Sequence, residues 1–126
     1  MLMQLLRVKI QQLTVTESSA GYPGSIGLPP ELMKASGLRL FELVHVNNLT
    51  NGNRILTYAV PSKQETSVTL NGAASKHCIA GDLIHIIAFG YYTQEEAETH
   101  RPLIVHTDAQ NRLLECKTYS FQHAER

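Results

Sequence analysis

The chain has no tryptophan and only two cysteines, and aromatic residues make up 6% of its 126 positions. Two cysteines, Cys78 and Cys116, are too few for a disulfide framework or a cysteine-based metal cluster, and His77 beside Cys78 lacks the spacing of a zinc pair. Each cysteine reads as a small buried apolar residue in a reducing cytoplasm. There is no excess of either charge: 11 basic residues balance 11 acidic ones. A neutral chain offers no electrostatic capture of nucleic acid or of an anionic membrane surface. No apolar run approaches a transmembrane length. The segment from Met1 to Leu6 has neither a charged n-region nor a long apolar core, so it is not expected to be a secretory signal. No P-loop, dinucleotide fingerprint, zinc motif or catalytic-triad spacing is visible.

What the chain does have is many short alternating segments separated by turn residues. A hydrophobic content of 43% over 126 residues suits one domain, spanning 1–126, with a genuine core. Leu5 to Thr16 reads as a strand whose apolar parity switches between Ile10 and Leu13, predicting a bulge near Gln11-Gln12. Pro29-Pro30 and Gly37 bracket a short helix, with Leu38 placed for a C-cap contact. Leu40 to Val46 reads as a strand, Asn51-Gly52 as a type I′ hairpin turn, and Arg54 to Val60 as the returning strand. Alternation puts Arg54, Leu56, Tyr58 and Val60 on one face and Ile55, Thr57 and Ala59 on the other.

Further on, Pro61 to Thr66 is a polar loop, and Ser67 to Leu70 is a short strand running into Asn71-Gly72-Ala73-Ala74. Leu83 to Phe89 is the most apolar strand, interrupted by His85, and most of it is expected in the core. Thr93 to Thr99 is at most an exposed acidic helical turn, and Leu103 to His106 is a last strand. Residues 109–126 are expected to form a surface tail. Many strands, tight turns, one or two small helices and no repeats predict a compact, mainly β barrel.

One turn, Tyr22-Pro23-Gly24-Ser25, carries a nucleophile at its end. Proline and glycine favour a tight type I or II turn. The Ser25 hydroxyl then lies close to the carbonyl carbon of Gly24. A serine in this position attacks the preceding peptide bond if that bond is held distorted and its oxygen is stabilised as charge develops. Taken alone, Pro-Gly-Ser is ordinary turn chemistry, and the residues leave open a β-barrel that binds a ligand without catalysis and never processes Ser25.

In its ordered motifs the chain resembles the pyruvoyl-dependent aspartate 1-decarboxylases. The likeness rests on Lys9-Ile10, Tyr22-Pro23-Gly24-Ser25, Thr50-Asn51-Gly52-Asn53-Arg54 through Thr57-Tyr58-Ala59, Asn71-Gly72-Ala73-Ala74, His77-Cys78 and Gly81-Asp82-Leu83. It runs from the N-terminus to about Asp108. The resemblance implies a double-psi β-barrel assembled as a homotetramer, with active sites between adjacent subunits. It implies a proenzyme in which Ser25 attacks the Gly24 carbonyl in an N-to-O acyl shift. Elimination would cut the chain into residues 1–24 and 25–126, and hydrolysis of the resulting dehydroalanine would leave a pyruvoyl group and ammonia. This ketone would condense with the amine of L-aspartate as a Schiff base and accept the electrons freed by decarboxylation. The product would be β-alanine, supplied to pantothenate synthesis in the cytoplasm.

By the same resemblance, Ser25 and Tyr58 are catalytic, Tyr58 as proton donor to the carbanion. Arg54 pairs with a substrate carboxylate and Lys9 helps hold the substrate's charge. Thr57, Gly72, Ala73 and Ala74 complete the substrate side, while Gly24, Ser25, Thr57 and Asn71 serve processing. No metal is implied; some relatives need a maturation factor. The chain departs from the family pattern at Gln11 and Gly21, where histidine is common, and at Asn47, where some members carry an aromatic. It departs too at His85, where an aliphatic residue is common, and in the loop Pro61 to Thr66. Gln11, Asn47 and His85 leave open another small acidic or amino substrate.

Overall fold

The computed structural model describes residues 1–21 and 24–121. Tyr22 and Pro23, the first half of the turn singled out above, lie outside the described residues.

Nine strands dominate the described residues. They are β1 (Leu2–Thr14), β2 (Glu17–Ser19), β3 (Ser25–Leu28), β4 (Leu43–Asn48), β5 (Arg54–Pro61), β6 (Thr69–Asn71), β7 (Leu83–Thr93), β8 (Leu103–Thr107) and β9 (Leu113–Thr118). Two short helices, α1 (Pro30–Ser36) and α2 (Gln94–Thr99), and one 3₁₀ turn (Gly72–Lys76) complete the fold. This is the mainly β, barrel-like architecture the sequence implied. The strand order is β2-β6-β3-β5-β4-β7-β1-β8-β9. β1 and β2 are separated only by Val15 and Thr16, yet they stand seventh and first in that order, so the sheet has to curl on itself. The seam is hydrogen-bonded. Val15 N donates to Asp82 O at 2.9 Å and Thr16 N to Val68 O at 2.9 Å. The Asn111 side chain accepts from Thr14 N at 2.8 Å and donates to the carbonyls of Thr14 and Thr66, both at 2.9 Å.

Alternation decides the inside. Val8, Ile10 and Leu13 of β1, Val44 and Val46 of β4, Ile84 and Ile86 of β7, and Ile26 and Leu28 of β3 are all essentially sealed from solvent. The register of β1 against β7 shifts between Ile10 and Leu13, where the parity switch predicted a bulge. That bulge is what keeps both Ile10 and Leu13 pointing inward. α1 ends on Gly37 at φ 74°, a left-handed cap that favours glycine.

Several expectations are corrected. β4 starts at Leu43 rather than Leu40, because Glu42 N bonds back to Arg39 O in a turn and Phe41 takes φ 70°. The β4–β5 connection is not a two-residue type I′ turn. Asn48 N pairs with Asn53 O around a four-residue loop, and only Gly52 has positive φ. β7 is core on one face only: Ile84, Ile86 and Ala88 are buried, whereas Leu83 is 38% exposed. The stretch read as a surface tail contains β9, which pairs antiparallel with β8 through residues that are mostly exposed. Cys78 is buried, but Cys116 on β9 is exposed rather than packed away.

Candidate active site

The candidate site lies on the outer side of a three-strand patch, β6-β3-β5. In β3, Ile26 and Leu28 turn into the core. Ser25 and Gly27 therefore face the other way, as strand alternation requires. Ser25 stands opposite Asn71 and Gly27 opposite Thr69 in the antiparallel β3–β6 pair. The parallel β3–β5 pair sets Ile26 against Ala59 and Gly27 against Val60. Tyr58 and Val60 flank the buried Ala59 and thus share the outer side with Ser25. A cavity of about 460 Å³ opens over this patch, and its lining includes Ser25, Gly27, Tyr58, Val60, Thr69 and Asn71.

Ser25 is only 6% exposed. Its Oγ accepts a hydrogen bond from Asn71 Nδ2 at 3.0 Å. With the amide donating, the hydroxyl keeps its own proton to give away, and the oxygen lone pairs are held in a fixed direction. Gly24 is exposed, and a Cβ built on it would meet nothing closer than Asn71 O at 4.0 Å. Tyr58 is half-buried and packs edge-on against Phe41, ring centroids 6.0 Å apart. Asn71 leads directly into the 3₁₀ turn, whose first residue, Gly72, takes φ 66°. Ser75 Oγ closes that turn on Gly72 O at 2.6 Å, and Ser18 Oγ on β2 pins it through Ser75 O at 3.1 Å. Gly72, Ala73 and Ala74 are thereby held next to Asn71, although none of the three lines the cavity.

Other expected residues stand apart from Ser25. Thr57 opposes the buried Val44 and faces away from the cavity. Arg54 is four residues back along β5, roughly 13 Å from Tyr58 at strand rise. It is exposed, and its Nε donates to Asn47 Oδ1 at 2.7 Å. Lys9 lies on β1 opposite Ile87 of β7. Arg54 and Lys9 share the outer face with a row of polar residues: Asn47 opposes both Arg54 and His85, and Gln11 opposes His106. A second cavity, of about 350 Å³, is lined by Gln11, Gln12, His85, His106 and Thr107. Burial, and secondarily the charge of Lys9, pushes the His85 imidazole below its ordinary pKa of 6.5. The structure thus brings together Ser25, Asn71 and Tyr58, and gathers Arg54 and Lys9 onto a different part of the same outer face.

Sequence reading missed Phe41, Ser62, Lys63 and Thr69 in the Ser25 cavity. Phe41 reaches it only because its backbone turns at positive φ, which no residue type announced. The parity of Thr69 with Asn71 was available, once β6 was assigned to the strand beside Ser25.

A family model described as aspartate decarboxylase matches residues 1–114. An "Aspartate 1-decarboxylase 1" from Gloeobacter violaceus is 43% identical over 117 residues, covering 92% of this chain and 99% of that protein. An "Aspartate 1-decarboxylase" from Stenotrophomonas maltophilia is 41% identical over 112 residues, covering 88% and 89% respectively. One from Bordetella avium is 38% identical over 116 residues, covering 91% and 95%.

Proposed function

Because this chain belongs to the aspartate decarboxylase family and is therefore a carboxy-lyase, we propose that it decarboxylates L-aspartate to β-alanine through a pyruvoyl group made from its own Ser25. The observation that carries the reading is the placement of Ser25. It heads a strand, it is buried, its Oγ is held by Asn71 Nδ2 at 3.0 Å, and it opens on a cavity large enough for a four-carbon amino acid. The residues fit the group: once the Gly24–Ser25 bond is cut, position 25 becomes a chain end on the cavity wall, with Asn71 as a donor beside it.

In the unprocessed chain the Ser25 oxygen attacks the Gly24 carbonyl carbon. Nothing on Gly24 obstructs that approach, and Asn71 fixes the attacking oxygen. Continuing the β3–β5 register two residues back brings Gly24 level with Thr57, which supports a role for Thr57 in processing. When present, the pyruvoyl group supplies an electrophilic ketone that takes up the electrons released with the departing carboxylate. Tyr58 faces the same cavity with a hydroxyl that can return a proton to the substrate carbon. Gly72, Ala73 and Ala74, anchored behind Asn71, shape the end of the site.

Arg54 and Lys9 supply positive charge for the substrate carboxylates from a neighbouring copy of the chain. Their separation from Ser25 within one chain supports this, and so does an exposed apolar patch beside the cavity. There Leu40, Phe41, Leu43 and Leu56 are each more than half exposed, at 56%, 65%, 57% and 57%. Such a patch suits burial in a homotetramer. The enzyme works in the cytoplasm, where it supplies β-alanine for pantothenate; a maturation factor assists where self-cleavage is slow.

Intact mass spectrometry of the purified protein tests the reading. The expected result is one fragment ending at Gly24 and a second beginning at position 25, lighter than its serine form by the mass of ammonia. A chain that stays whole after warm incubation with cell extract refutes it. Turnover measured on aspartate, glutamate and related acids then tests the substrate: aspartate has to be the best.

A further inference from the structure

Arg54 is the side chain on which substrate recognition rests in the reading above, and nothing in its own strand holds it still. It is exposed at the end of β5, on a long side chain with many rotamers open to it. Among the described residues the ion pairs are Arg7–Glu42 and Lys117–Glu115, so no carboxylate among them neutralises Arg54. Its hydrogen-bond partner among the described residues is uncharged: Nε donates to Asn47 Oδ1 at 2.7 Å. Asn47 is well placed to act as an anchor. It sits in the middle of three hydrogen-bonded strands, opposite Arg54 on β5 and opposite His85 on β7, and it is half-buried where Arg54 is exposed.

The geometry has a chemical consequence. A guanidinium presents two edges to a carboxylate, one made of Nε with one Nη and the other made of both Nη atoms. A neutral acceptor on Nε occupies the first edge without cancelling the charge. The Nη1–Nη2 edge stays available for a bidentate pair with a carboxylate. An aspartate at position 47 would also accept from Nε, but it would neutralise the cation that the substrate needs.

We propose that Asn47 is a positioning residue for substrate binding, fixing the Arg54 guanidinium so that its outer edge is presented to a substrate carboxylate. This rests on the reading of Arg54 given above. The test compares Asn47→Leu, Arg54→Lys and the double variant as fully processed protein. Each is assayed for KM and kcat on aspartate, for extent of processing by intact mass, and for thermal midpoint. Arg54→Lys is expected to raise KM. Asn47→Leu should raise KM by about tenfold or more, the value of one hydrogen bond to a charged donor, with kcat within about twofold and processing complete. In the Arg54→Lys background the same change should raise KM by less than about twofold, because the guanidinium it positions is gone. A loss caused by general damage to the sheet would be the same in both backgrounds and would lower the thermal midpoint. If Arg54→Lys raises KM but Asn47→Leu does not, or if the two effects multiply, the positioning role is overturned while Arg54 keeps its own. If Arg54→Lys leaves KM unchanged, the carboxylate reading of Arg54 fails and the proposal falls with it.

Discussion

Replacing Tyr58 by phenylalanine separates chemistry from architecture more cleanly than any other change in this site. The ring of Tyr58 is half-buried and packs edge-on against Phe41 at 6.0 Å. Phenylalanine keeps that ring, its area and its contact. No hydrogen bond to the hydroxyl is seen among the described residues, so removing it strands no buried partner. The stability change should therefore stay within about 0.5 kcal/mol, the range of substitutions that break no specific interaction. In the proposed function self-cleavage depends on Ser25, Gly24 and their supports, and it should go to completion. Substrate binding, placed on Arg54 and Lys9, should leave KM within about twofold. In the proposed function what is lost is a positioned proton donor, typically worth ~10²–10⁴ in rate, or about 3–5 kcal/mol of barrier. The assay is chromatographic measurement of β-alanine release by fully processed protein, with thermal melting and intact mass as controls. A kcat within threefold of the parent enzyme would refute the assignment of Tyr58 as donor. A large loss accompanied by incomplete processing would refute the separation of roles.

Gly27 forms the floor of the cavity, and a Cβ there would overlap Thr69 Oγ1 and lie 3.5 Å from Ser62 Cβ. Gly27→Ala should lower stability by about 1–3 kcal/mol through overpacking, read as a drop in urea midpoint at unchanged m-value. Asp82 is 7% exposed, and its Oδ2 accepts from Asn48 Nδ2 at 2.8 Å and from Ile79 N at 3.0 Å. Asp82→Ala strands both donors and should cost about 2–4 kcal/mol in urea unfolding, with activity surviving in the fraction that folds. The His85 imidazole, faced by Lys9 and by His106 across the second cavity, is held neutral by burial first and by Lys9 second. Because its folded pKa is depressed, the unfolded chain binds the extra proton. The stability His85 contributes is present above pH 6.5 and is lost as pH falls through the folded pKa. His85→Leu should therefore flatten the decline in urea midpoint as pH falls below 6.5, and an unchanged slope would count against it. Co-expression of Ser25→Ala with Arg54→Ala should restore part of the activity each lacks alone, if the site is shared between copies; failure to complement would place it within one chain.

β1, β4, β5, β7 and β8 were legible because their inner faces repeat with a period of two and turn residues mark their ends, whereas β2 and β3, three and four residues long, are too short to show alternation and were not expected. The bulge at Gln11-Gln12 was legible for the same reason, since the apolar parity changes there. The turn at Arg39–Glu42 was not. Leu40, Phe41 and Leu43 are apolar, and apolar residues ahead of Val44 extend a strand on paper. In the structure they are exposed, and their composition reflects a surface patch rather than a core. β9 was hidden by the opposite fault: its residues are polar because it lies at an exposed edge, so no alternation marks it. Of the candidate site, Ser25 with Asn71 could be named from motifs. Their meeting depends on a 46-residue separation closed by an antiparallel register, which no local pattern encodes.

One strand, β5, explains why the named residues divide as they do. Successive side chains on a strand point to opposite sides, so Thr57 and Tyr58 cannot face the same space. Tyr58 looks outward over the Ser25 cavity, while Thr57 looks inward, level with the backbone of Gly24. The first suits a proton donor to a bound molecule, and the second suits a support for the bond that Ser25 attacks. Arg54 shares the parity of Tyr58 but lies roughly 13 Å away along the strand, too far for both to grip one four-carbon acid in a single copy. Among the described residues the cation that does line the cavity within one chain is Lys63, from the loop that departs from the family pattern. A site that used Lys63 would close within a single chain and leave Arg54 and Lys9 without a partner. Of the exposed apolar residues Leu40, Phe41, Leu43 and Leu56, Phe41 lines the cavity and Leu43 stands opposite Tyr58, and this patch weighs the choice toward a second copy bringing its own Arg54 and Lys9 to the opening.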